Sequence, residues 1–310
     1  MEWGYLLILI GSVFMCGMTA SRKEYQRKVD ATLLSTIVFM GVSSLFVCLI
    51  GVVYSCFNGF ELITKADNFV IFLGLLFAFI LTVNTCLCIF GAKYGSLAMI
   101  TTFATLGTLV ISTVFGLITD PIKNHLSVYS IIGLCLAVVI IALGFIFNKG
   151  QKTQEDSKNS KLFILICLAI FIFNGSALSV YSVFTSNRAS YGGFNFIFLY
   201  LFFCVILCGL TILALFLHSK KTKKSLAIKD CVVGKPLVCS LIYGVIFFCA
   251  EFCALTTTSI LPIVIQAPLS FAMNVVIVAI VDYLIYKQKL TKIQLIQIAL
   301  AILSGVCFAL

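Results

Sequence analysis

A chain of 310 residues that is 62% hydrophobic, only 10% charged and formally +10 in net charge does not have the composition of a water-soluble domain, which carries about 25% charged residues. The apolar excess runs along the whole length and leaves no stretch for a soluble domain of useful size. The basic residues fall in short gaps between apolar runs, as membrane loops do, and this argues against nucleic acid as a partner.

A spanning helix needs about 20 mainly apolar residues, and ten stretches meet that requirement: 3–20, 31–57, 68–90, 95–118, 126–147, 162–184, 192–218, 236–255, 260–286 and 290–310. The first lacks the basic start and small-residue cleavage site of a signal peptide, so it is expected to remain as a helix. Most of the 14 cysteines, among them Cys48, Cys135, Cys167, Cys204 and Cys208, lie inside apolar runs, where cysteine behaves as a small apolar residue. With two histidines and no C-x-x-C, neither a metal site nor a cofactor is expected.

Lysine and arginine orient the set. Arg22, Lys23, Arg27 and Lys28 follow the first span, and the further odd-numbered gaps, ending with Lys287, Lys289 and Lys292, bring one side to 18 of the 21 basic residues. Lys65, Lys123 and Arg188 lie on the other side. Positive charge marks the cytoplasmic face, so both termini are predicted to be extracytoplasmic, in a plasma-membrane protein.

The polar loop "NKGQKTQEDSKNSK" (148–161) divides the chain into five spans and five, over 1–147 and 162–310. The segment "GSLAMITTFATLGTLVISTVFGLI" (95–118) can be laid on "TSILPIVIQAPLSFAMNVVIVAIV" (258–281), and the segments after each also correspond. An odd number of helices per half forces the second copy to be inverted, a common plan for secondary transporters. The predicted fold is an all-α polytopic membrane protein of ten transmembrane helices in two inverted five-helix repeats.

Polar residues inside the spans are the candidates for function. In the ninth span, "PIVIQAPLS" places Pro262, Gln266 and Pro268 in an apolar run. Gln266, Ser270 and Asn274 fall within about 80° of one another around a helix. Thr101, Thr105, Thr108 and Ser112 make a similar stripe in the fourth span, the equivalent place in the first half. Pro268 frees a carbonyl near residue 264, so Pro262 and Pro268 are candidate hinges, and Gln266 a candidate solute contact. The blander alternative is interhelical packing by small polar groups, at about 0.6 kcal/mol per hydrogen bond. Further candidates are Asn84, Asn174, Tyr181 and Tyr243.

Glu251, in "FFCAEFCAL" (247–255), is the acid most firmly inside an apolar span. A charge at a helix centre costs about 2.5–3.5 kcal/mol on insertion scales, so such a residue is retained most easily facing water, a cation or a partner. No lysine or arginine is expected in the neighbouring spans to neutralise it. Glu251 is therefore a candidate for binding a coupling proton or a cationic group of the solute; the alternative is an interfacial acid that reaches outer water.

The stretches "AKYGSLAMITTFATLGTLVIS" (92–112), "LSVYSIIG" (126–133) and "SILPIVIQAPLS" (259–270) leading into "YKQKLTKIQ" (286–294) resemble the drug/metabolite transporter superfamily, in particular its ten-helix EamA-type members. The resemblance covers essentially the whole chain. It implies a cavity lined mainly by helices 1, 3, 4, 6, 8 and 9, and export of a metabolite, amino acid or drug-like compound, with import the alternative. The small multidrug relatives carry a proton-binding acid in the first helix, where this chain has "GSVFMCG", so a simple polycation–proton exchanger is not expected. The implied partners are a small solute, a coupling proton or other ion, the lipid bilayer and a second copy of the chain in a homodimer. No Walker A pattern is present. An intramembrane lipid-modifying enzyme would need an interfacial set of His, Asp, Glu and Arg; with two scattered histidines and no acidic cluster, no enzymatic activity is expected.

Overall fold

A computed structural model describes residues 2–30, 32–57, 65–91, 97–119, 127–148, 160–222, 228–284 and 292–309. Among these residues the chain is helical and carries no strand. Ten helices of eighteen residues or more coincide with the ten apolar stretches. They are α1 (Glu2–Gln26), α2 (Leu33–Phe57), α3 (Asn68–Gly91), α4 (Leu97–Thr119) and α5 (Val128–Asn148). The second five are α6 (Ser160–Arg188), α7 (Gly193–Thr222), α8 (Lys235–Ile260), α9 (Ile263–Leu284) and α10 (Lys292–Ala309).

Six of the ten, α1, α2, α3, α6, α7 and α8, are long and apolar enough to cross a membrane; α4, α5 and α9 contain shorter apolar stretches. The apolar surface goes nearly all round each of these helices, as expected of elements that face lipid on one side and protein on the other.

Polar residues set the ends. Thr32 and Ser35 cap α2 reciprocally, each hydroxyl accepting the other's backbone N–H at 3.0–3.1 Å, in the manner of a capping box. Asp67 Oδ1 accepts the Val70 N–H at 2.8 Å to start α3, and Ser127 does the same for Ser130 at 3.0 Å at α5. Gly234 precedes α8 with φ 72°, a conformation that favours glycine.

The main core joins α1, α2, α3, α6, α7 and α8 through large aromatics, with Phe39, Phe77, Phe196 and Tyr200 almost wholly buried. A smaller core of Leu109, Ala137, Ile140, Phe271, Ala272 and Ala301 joins α4, α5, α9 and α10. The first helix of each half packs mainly on the other half: α1 on α8 and α9, α6 on α3 and α4. At the α4–α6 crossing, a Cβ added to Gly107 would land on the Phe171 carbonyl, and one on Gly175 would strike the Gly107 carbonyl. Only glycine lets these two backbones approach so closely, as small residues do in membrane bundles.

Candidate functional site

Helix α6 carries two polar layers on one face, at Asn174 and, seven residues on, at Tyr181. Two turns of helix bring i and i+7 back to the same side. The first layer is uncharged. Asn84 of α3 donates from Nδ2 to Asn174 Oδ1 at 2.9 Å. Asn174 Nδ2 donates in turn to the Ala104 carbonyl at 2.8 Å and to Thr108 Oγ1 at 2.7 Å, both on α4. Ser112, one turn further along α4, donates to the Gly175 carbonyl at 3.1 Å. Three predicted candidates, Asn84, Asn174 and Thr108, thus meet in one network that ties α3, α6 and α4 together.

The second layer is charged. The Tyr181 hydroxyl donates to Glu251 Oε2 of α8 and lies 3.2 Å from the Tyr200 hydroxyl of α7. Phe77 of α3 stacks on Tyr181 and tilts against Tyr200, each at a centroid distance of 4.6 Å. Glu251 shares its face of α8 with Tyr243 and Phe247, whose rings stack at 5.8 Å. Tyr243 accepts a hydrogen bond from Arg22 Nη2 at 2.6 Å, with the guanidinium also 5.1 Å from the ring centroid. Tyr181, Tyr200 and Tyr243 are at most 2% exposed, while Arg22 and Glu251 are half-buried.

Arg22 corrects the sequence expectation. The first span was expected to end near residue 20 and leave Arg22 in a loop, with no base near Glu251. Instead α1 continues to Gln26, and Arg22 lies within electrostatic range of Glu251. The continuation has a packing cause: Met18 and Tyr25 on the same stripe are buried at 5% and 2%. Positions 18, 22 and 25 follow the i, i+4, i+7 spacing of a helix face, and that spacing was the signal available in the sequence.

The ninth-span candidates are placed differently. Gln266 is 2% exposed. Its amide donates to the Ala254 carbonyl at 3.0 Å, and its Oε1 accepts from Thr258 Oγ1 at 2.9 Å. Both ends of the side chain are thus taken by α8. Pro262 is not inside a helix: α8 ends at Ile260 and α9 begins at Ile263. The Pro262 carbonyl accepts the N–H groups of Ile265 and Gln266 at 3.0 Å. Pro268 does lie inside α9, where its missing N–H removes one backbone bond. Ser270 and Asn274 on α9, and Thr105 on α4, are half-buried. The side chain of Thr101 lies outside the described residues.

A cavity of about 290 Å³ opens where α4, α6 and α8 finish and α9 begins. Its polar lining comes from Thr119, Ser182, Thr185, Ser186, Asn187 and Thr258, and Pro262 also lines it. Thr258 is seven residues beyond Glu251 on α8, about 10 Å along a helix axis. Ser182 immediately follows Tyr181. The cavity therefore stands above the charged layer, and Gln266 sits behind its Thr258 wall. Among the described residues, no group of three or more His, Cys, Asp or Glu is placed to hold a metal ion.

No family model and no curated protein matches the chain. Solved structures do: 26 chains match. One, described only as a crystal structure of a protein, covers 99% of this chain and 96% of its own at a TM-score of 0.70 and 12% identity. At that identity the likeness concerns the fold alone, and it extends over the whole helical bundle.

Proposed function

We propose that the chain is a secondary transporter of a small organic solute, an exporter in the manner of the EamA-type proteins it resembles, working by alternating access between two inverted five-helix halves. The observation that carries this reading is the pair of charges, Arg22 and Glu251, inside an apolar bundle that has a polar cavity at one end. Charges retained in such a setting mark solute or ion routes.

The packing supports the inverted repeat. Exchanging α1–α5 for α6–α10 turns the α1–α8 contact into α6–α3, and α4–α6 into α9–α1. The same exchange turns α3–α7 into α8–α2, and it leaves α2–α7, α4–α9 and α5–α10 unchanged; all of these contacts occur. Such pairing fits ten spans, with α4, α5, α9 and α10 crossing beside the six longer helices. With the lysine-rich gaps in the cytoplasm, the cavity faces outward.

Two experiments test the reading. Purified protein in sealed vesicles, under an imposed proton or solute gradient, should move a member of a metabolite and amino-acid library; no flux of any member would overturn it. A cysteine at Ser157 in a cysteine-free background should resist an impermeant thiol reagent in intact cells. Labelling there before lysis would reverse the orientation.

A further inference from the structure

We infer that the cavity where α4, α6 and α8 finish is a recognition site for a primary ammonium group, so that the solute is a small amine bearing no carboxylate. The inference rests on the transporter reading and names a substrate class for it. Its basis is the direction of the hydrogen bonds in the wall. The hydroxyl protons of Thr119 and Thr185 go to carbonyls of their own helices, that of Phe115 at 2.8 Å and that of Ser182 at 3.2 Å. Thr258 gives its proton to the Ala254 carbonyl at 2.8 Å or to Gln266 Oε1 at 2.9 Å. Asn187 Nδ2 donates to the Val183 carbonyl at 2.8 Å. The three threonines therefore keep only lone pairs for a solute, and Asn187 keeps its carbonyl oxygen and one N–H. Ser182 and Ser186 share a face of α6 with Thr185 by their i, i+3, i+4 spacing, and their hydroxyls act in either sense.

The backbone adds charge of the same sign. The last turns of α4, α6 and α8 all line the cavity, and a helix C-terminus carries about half a negative charge on its unpaired carbonyls. The start of α9 opposes them weakly. Pro262 has no N–H, its carbonyl takes the N–H groups of Ile265 and Gln266, and the Leu261 N–H goes to the Thr257 carbonyl. No lysine, arginine, aspartate or glutamate is among the lining residues. Arg188, the base next to Asn187, is held by Asp67 and lies over the Phe69 ring.

Acceptors and negative helix ends together select a cation that can donate. A primary ammonium group brings three N–H donors and exchanges its water for wall oxygens. A quaternary ammonium carries the same charge with no N–H, so the oxygens it covers lose their water without a replacement bond, at the penalty of an unsatisfied group. An anion meets lone pairs and the wrong end of three helices. A bare metal ion is too small: the cavity, at about 290 Å³, is at the lower end of sites for whole organic molecules. The apolar wall of Phe115, Val183 and Leu261 suits the short hydrocarbon of such an amine.

The test reads occupancy at the site itself. Ser182→Cys in a cysteine-free background is purified, and its labelling by a methanethiosulfonate reagent is timed with propylammonium, tetramethylammonium, sodium or propionate at equal ionic strength. Propylammonium should halve the labelling rate at a concentration about tenfold or more below that of tetramethylammonium, the factor given by one hydrogen bond to a charged group. Sodium and propionate should not protect. Thr185→Val keeps the shape and removes one acceptor; it should raise the propylammonium concentration needed by about threefold or more and leave that of tetramethylammonium unchanged. Thr119→Val should do the same, and it carries the test if Thr185→Val does not fold. If the cysteine-free protein does not fold, the same comparison is read as the rise in melting temperature of the unmodified chain, since a ligand that binds only the folded state stabilises it. Equal potency of the two organic cations, protection by sodium or propionate below the propylammonium concentration, or no protection by any of them overturns the assignment. Uptake of propylammonium and of the solute library into vesicles reads the transporter proposal separately. If other solutes move and propylammonium does not protect, the substrate class falls and the transporter reading stands. If propylammonium protects but nothing moves, the site stands and the transporter reading falls.

Discussion

The two polar layers on α6 are built from similar material to opposite ends. At Asn174 every polar group is uncharged, and each of Asn84, Asn174 and Thr108 has a partner at hydrogen-bond distance. At Tyr181 the layer contains the Glu251 carboxylate, and Arg22, held on Tyr243 about two turns back along α8, has a buried guanidinium nitrogen with no partner. A buried polar network that is fully satisfied specifies one packing, whereas an incompletely satisfied one is costly. The first layer fastens α3, α4 and α6 together; the second holds charge in readiness for something else.

The largest effect that would break this contrast is at Glu251. Glu251→Gln keeps the shape and removes the charge. Hydrogen bonds to charged groups are worth about 1.5–3 kcal/mol, or about 10- to 150-fold in rate. Transport per folded molecule should fall by about that factor while the melting temperature stays near wild type. Wild-type flux with a lowered melting temperature would place Glu251 with the fastening layer.

Asn174→Leu should behave in the opposite way. It leaves the Asn84 amide without its acceptor, at about 1–3 kcal/mol for a buried group left unsatisfied, while the Ala104 carbonyl keeps the Thr108 hydroxyl as a donor. The melting temperature should drop, with flux per folded molecule retained. Gln266→Leu sharpens the division, because the structure groups Gln266 with the fastened residues. Two interhelical bonds at about 0.6 kcal/mol each predict a smaller loss of stability and unaltered solute preference. Changed preference in this variant would return Gln266 to the cavity.

The smallest effect is at the rim. Asp67 caps α3 through the Val70 N–H and meets Arg188 Nε, at the end of α6, at 2.6 Å. These contacts hold its carboxyl below the ordinary range, the backbone bond first and the guanidinium second. A depressed folded value means that the stabilisation is present above the unfolded pKa of about 3.9 and is lost as pH falls through the folded one. Asp67→Asn should remove that acid-side dependence and leave melting between about pH 5 and 8 almost unchanged, because the pair is exposed and screened.

Much of this architecture was legible before any coordinates. All ten apolar stretches are helices, and Asn84, Asn174, Tyr181, Tyr243 and Glu251 were identified simply as polar side chains in apolar surroundings. Arg22 was not, because "TASRKEYQ" reads as a loop when hydropathy sets the boundary. The helix is continued by partners on α2 and α8, Phe39 against Tyr25 and Tyr243 against Arg22, which a hydropathy window does not contain. Gln266 illustrates the converse. Its polarity was visible, but whether it faced a cavity or the α8 backbone depended on the turn at Leu261–Pro262, which sets the start of α9 beside the end of α8.

The Arg22–Tyr243 contact spans 221 residues of sequence, and that separation governs how the protein is made. At about 5–20 residues per second, α1 leaves the ribosome about 10–45 s before α8 exists. Through that interval its guanidinium has no Tyr243 to bond and no Glu251 to face. An arginine near a helix end resolves such a wait by reaching for the headgroup region, so α1 should sit shallow at first and settle only when α8 arrives. Synthesis stalled before Lys235 should therefore leave a cysteine at position 22 open to a water-soluble thiol reagent, and stalling after Ile260 should protect it. Equal labelling at both stall points would mean that α1 takes its final depth alone.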